Sequence, residues 1–130
     1  MTETDKLIAS LPAGLDRAIL RILSYHHGRD RAIGRRQLVN QIKLHGFDVG
    51  ERQARACISQ LRKTGTLICS APGEDGGYYI PKDAGEFEEF VRTEYEAKIM
   101  DMRETLTAMK KAAEKTWGRY SPEKQIRLNL

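Results

Sequence analysis

Arginine is where the chemistry of this chain concentrates. Residues 15–65 hold nine Arg and two Lys against four acids, whereas residues 66–130 hold ten bases against twelve acids. The net charge of +4 therefore originates in the middle of the chain. A guanidinium presents a planar fork of donors that fits phosphate oxygens and the O6/N7 edge of guanine. A merely solvated helix surface mixes its signs more evenly. Arg52, Arg55, Arg62 and Lys63 fall in one stretch together with Gln53 and Ser59, and Arg35-Arg36 opens an earlier one. These eight residues are the candidates for contact with a polyanion.

Other reactive side chains are less well placed. His26 and His27 are adjacent and diverge on a helix, and the chain has neither Cys-x-x-Cys nor His-x₃-His spacing, so no metal and no cofactor is expected. Two cysteines make no disulfide framework. Cys57 and Cys69 read as small buried hydrophobes. A redox-sensing thiol at Cys57, beside Arg55 or Arg62, is the minor alternative. Gly73-Glu74-Asp75-Gly76-Gly77 lacks the Lys-Ser/Thr of a phosphate loop. No catalytic triad or carboxylate pair is placed by a motif, so a non-enzyme is expected.

The elements that carry these residues follow from periodicity. Leu7, Ile8 and Leu11 suggest a short docking turn in an N-terminal extension, residues 1–14. Leu15, Ala18, Ile19, Ile22 and Leu23 recur at helical spacing, with Gly28 as the expected stop. Arg31-Ala32-Ile33 is short enough to be a single strand. Two helices then open with Gly-x-Arg-Gln, one from Gly34 to Gly46 and one from Gly50 to Gly65. In each, the Gln at the third helical position can accept from the N-cap amide, half of a capping box. On helix 51–64, Ala54, Ile58 and Leu61 face inward. The opposite side presents Arg52, Ala56, Ser59 and Lys63, flanked by Arg55 and Arg62.

After Gly65 the period changes to that of a hairpin, Thr66–Ser70 and Tyr78–Ile80, around a long tip of turn residues. Asp83 and Glu86 then form an Asp-x-x-Glu start for one long helix over residues 84–117, stopped by Gly118. At 1.5 Å per residue its length is about 50 Å. The expected architecture is mainly α with a small β-hairpin. Its parts are an extension (1–14), a helical domain with the hairpin (15–82), a long helix (83–118) and a tail (119–130). No apolar run is long enough for a membrane span, and MTETDKLIAS has no secretory pattern, so the expected location is the reducing cytoplasm.

The stretch AIGRRQLVNQIKLHGFDVGERQARACISQLRKTGTLICSAPGEDGGYYI resembles a winged helix-turn-helix. The resemblance covers residues 15–82. The similarity is strongest to biotin-operon-repressor type modules and, more loosely, to small phage and prophage winged-helix proteins. It implies double-stranded DNA as partner, with helix 51–64 in the major groove of a transcriptional regulator held near the nucleoid. In that setting Arg52 and Arg55 reach guanine, Ser59 contacts either partner, and Ala56 permits close approach. Arg35 and Arg36 would touch phosphates, assisted by the amides of their helix start. The tip departs from the family's usual basic wing: Glu74-Asp75 is acidic and is expected to point away from DNA.

Along the long helix the apolar positions run Val91, Tyr95, Ile99, Met102, Leu106, Met109 and Ala113, close to a heptad seam. Tyr95, Ile99, Met102, Leu106 and Met109 are the expected dimerisation residues. The competing reading is a non-enzymatic adaptor, a replication or mobile-element accessory protein whose long helix recruits a different protein.

Overall fold

Five apolar side chains at intervals of three and four residues define the first long helix. The computed structural model describes residues 2–74 and 76–118; the tail 119–130 lies outside them. Helix α1 spans Glu3–Ala9, and the Thr2 hydroxyl accepts from the Asp5 amide at its start. Helix α2 spans Leu15–Leu23 and buries Leu15, Ala18, Ile19, Ile22 and Leu23 on one face. It stops at Ser24, short of the expected Gly28. The reason is tertiary: the His26 carbonyl and the Gly28 amide are bonded to Ile80, each at 2.8 Å, and cannot stay helical. Gly28 instead precedes a single 3₁₀ turn, Arg29–Arg31. Of the expected strand 31–33 only Ile33 pairs, exchanging two 2.9 Å bonds with Tyr78.

Helix α3 spans Arg35–Leu44 and buries Leu38, Val39 and Ile42. Helix α4 spans Glu51–Lys63 and buries Ala54, Cys57, Ile58 and Leu61. Between them Gly46 takes φ 93°, the left-handed turn that lets α4 fold back onto α3. The Gln37 and Gln53 side chains accept from the Gly34 and Gly50 amides at 3.4 and 3.0 Å, the half-caps expected from Gly-x-Arg-Gln. Helices α2, α3 and α4 pack around one core with Ile33, Val49, Ile68 and Tyr78, and α1 lies on α4.

Strand β1 (Cys69–Ala71) pairs antiparallel with β2 (Gly77–Tyr79), in the register Cys69 to Tyr79. A β-carbon at Gly77 would overlap the Ile33 carbonyl, so only glycine admits this contact between β2 and the bridging residue. Helix α5 spans Ala84–Val91, and Asp83 caps it by accepting from the Glu86 amide at 2.8 Å. The Glu86 carboxylate does not return to Asp83. It accepts from the Lys82 amide at 3.1 Å and the Arg29 amide at 3.2 Å, tying the start of α5 to the 3₁₀ turn.

The chain divides into two compact units after Phe90. In the second, Arg92–Glu96 forms a π turn and α6 runs over Ala97–Trp117, with Gly118 as its C-cap at φ 83°. The π turn interrupts what the sequence suggests is one regular α-helix. It coincides with a stretch whose apolar spacing is wider than the α-helical repeat. Two successive four-residue steps, Val91–Tyr95–Ile99, would drift about 80° around an α-helix at 3.6 residues per turn. A wider i→i+5 turn absorbs the surplus.

Candidate nucleic-acid interface

On α4 the buried residues Ala54, Cys57, Ile58 and Leu61 set the orientation of everything else. Arg52, Arg55, Ser59 and Lys63 are exposed on the remaining surface, and Ala56 is half-buried between them. This is the expected distribution. Gln53 is half-buried, and its carbonyl oxygen is already engaged with the Gly50 amide. Only its NH₂ group points to a further role.

Arg62 differs from the others. Its Nε donates to the Ile68 carbonyl at 2.7 Å, and Nη2 donates to the Ser70 hydroxyl at 3.3 Å. The guanidinium also lies over the Phe90 ring, 5.4 Å from its centroid. The sequence placed Arg62 on the flank of the basic face, but the structure turns it to the hairpin, where it joins α4, β1 and α5. Nothing in a helical projection distinguishes it from Arg55. The difference is that β1 passes beside the last turn of α4.

Arg35 and Arg36 are exposed in the first turn of α3. Arg35 sits over the Tyr78 ring at 5.9 Å, so the hairpin braces it at the protein surface. Tyr78 was not legible as a supporting residue, since it lies far from Arg35 in the chain. Its burial in a strand is the only trace in the sequence. At the hairpin tip Glu74 is exposed, and Asp75 lies outside the described residues.

Both cysteines are free and buried. Burial pushes the Cys57 thiol up to about 11, and the carboxylate of Asp16 adds to the effect. Burial likewise pushes Cys69 to about 11, with Arg62 pulling the other way. A redox-sensing thiolate needs the opposite shift and an exposed sulfur, so the alternative of a sensor at Cys57 is corrected to a core thiol. Among the described residues no group of three or more His, Cys, Asp or Glu side chains is arranged to hold a metal ion, and His26 Nδ1 lies 2.8 Å from the Arg31 carbonyl. Behind α4, away from its basic face, a cleft of about 290 Å³ is lined by Ile8, Leu11, Leu15, Cys57 and Leu61.

In the second unit Tyr95, Ile99, Met102, Leu106 and Met109 are 43, 47, 70, 38 and 65 % exposed, and α6 has no buried residue. No helix among the described residues is long and apolar enough to cross a membrane. Comparison with protein-family models, curated proteins and solved structures found no match to this chain.

Proposed function

We propose that this protein is a non-enzymatic, sequence-specific double-stranded DNA-binding protein of winged-helix type, with α4 as its recognition helix and a regulatory role in transcription. The observation that carries the reading is one helix face. Arg52, Arg55, Ser59 and Lys63 are exposed opposite a fully apolar anchor, and Arg52 and Arg55 lie in the first half of α4, where a recognition helix meets base edges. Arg35 and Arg36 open the preceding helix, suited to phosphates on the groove edge. The acidic Glu74 favours a hairpin tip held off the backbone. Self-pairing through Ile99, Met102, Leu106 and Met109 would give two recognition helices for two half-sites.

Fluorescence anisotropy with random and genomic duplexes at several salt concentrations tests this. Binding that weakens steeply with salt, together with tighter binding to a subset of genomic duplexes, is expected. Absence of binding at low salt removes the reading. The exposed seam of α6 supports a second one, an adaptor that recruits another protein, and that outcome would favour it.

A further inference from the structure

We infer that α6 pairs with α6 of a second copy of this chain, and that the two helices run antiparallel. The inference rests on the reading of α6 as a self-pairing helix and adds its orientation and register. The observations are the exposed seam and the charges beside it. Ile99 and Leu106 occupy one core position of the heptad, and Met102 and Met109 the other. The four are spaced three, four and three residues apart, so a two-fold axis level with Glu104 maps the seam onto itself. Ile99 then layers on Met109 of the other copy, and Met102 on Leu106.

Both orientations bury these four side chains, so the flanking charges decide between them. Glu96, the last residue of the π turn, leads into α6 with helical φ −61° and ψ −43°. It therefore lies with Arg103 and Lys110 along one edge of the seam, and Lys98, Thr105 and Ala112 lie along the other. None of the charged edge residues is in the core: Glu96, Lys98 and Arg103 are exposed and Lys110 is half-buried. In a parallel pair each edge faces the opposite edge of its neighbour. Lys98 would then oppose Arg103 twice, with no opposite-charge pair to offset it. In the antiparallel pair like edges meet. Glu96 faces Lys110 twice, Arg103 meets Arg103 once near the dyad, and the other edge is uncharged except for Lys98 beside Ala112. Edge charges of this kind set orientation in helix pairs whose cores are indifferent. Lys98 also already has a partner on its own helix, donating to the Glu94 carboxylate at 3.0 Å.

Sedimentation of the full chain and of charge variants tests the proposal. Glu96→Lys replaces two attractions by two repulsions and should weaken the dimer roughly tenfold. Glu96→Lys with Lys110→Glu should restore it to within about twofold, because the swapped pair meets again. Lys98→Gln should leave affinity within about twofold. A second measurement is independent of these affinities: oxidised mixtures of Met102→Cys and Leu106→Cys proteins should cross-link to each other better than either does to itself. The native cysteines are buried and do not compete. Tightening by Lys98→Gln, no rescue by the swap, or self-cross-linking of Met102→Cys would show a parallel pair and overturn the orientation while leaving self-pairing intact. A wild-type monomer at micromolar concentration would remove self-pairing itself.

Discussion

Two arginines on the same helix, seven residues apart, have opposite fates, and their variants separate the two. Arg55 is exposed, whereas Arg62 bonds the Ile68 carbonyl and the Ser70 hydroxyl and covers Phe90. Arg52→Ala and Arg55→Ala should each weaken binding to a specific duplex by about 1–3 kcal/mol and leave the melting temperature unchanged. Arg35→Ala should weaken binding to all duplexes alike and lower the salt slope by about one unit. Equal losses on specific and random DNA for all three would remove base reading from α4. Arg62→Ala should instead cost about 1–3 kcal/mol of folding stability in urea titrations, because two acceptors lose a charged donor. Its effect on DNA affinity, corrected for the folded fraction, should be small.

At the scale of elements, the hairpin depends on one glycine and its neighbours on buried thiols. Gly77→Ala forces a methyl onto the Ile33 carbonyl and must separate β2 from the bridge that carries Tyr78. A loss of about 2–4 kcal/mol is expected, with weaker DNA binding as Arg35 loses its aromatic support. A variant as stable as the wild type would contradict the close contact. Cys57 and Cys69 titrate near 11 in the folded chain, above the ordinary thiol value of 9.0. Their folded pKa values are raised, so the unfolded chain releases its protons first as pH climbs. Stability from this source is fully present below pH 9.0 and is lost between there and about 11. Tyr79, pushed to about 12 by burial, extends the decline. Denaturation midpoints should be flat from pH 7 to 9 and fall above it, and Cys57→Ala should make that fall shallower without moving its onset, because Cys69 titrates over the same range.

For the whole molecule, the question is what covers the seam of α6. Met102→Lys with Leu106→Lys places two charges where a self-paired helix would be apolar. Burying one Leu or Met contributes about 1.5–3 kcal/mol per chain, so the double change should abolish pairing. Neither residue is buried in the single chain, at 70 and 38 % exposure, so helix content and thermal stability of the monomer should stay the same. DNA affinity should fall as two half-site contacts become one. An unfolded variant would show instead that the seam is part of the core of one chain.

Much of this was legible from residue order alone. The inward faces of α2, α3 and α4, the half-caps at Gln37 and Gln53, and the cap at Asp83 depend on neighbours three or four positions away, and local spacing specifies them. So does the basic face of α4, because burying Ala54, Ile58 and Leu61 leaves Arg52, Arg55, Ser59 and Lys63 outside. Other features needed partners distant in the chain. Helix α2 ends at Ser24 because Ile80 claims the backbone of His26 and Gly28, and the strand expected at 31–33 shrinks to Ile33 because Tyr78 alone pairs with it. Glu86 reaches Arg29 across 57 residues, and Arg62 leaves the basic face because β1 offers it two acceptors. A sequence pattern specifies which side of an element is apolar; which donor meets which acceptor was decided only when the hairpin packed beside α4 and the 3₁₀ turn.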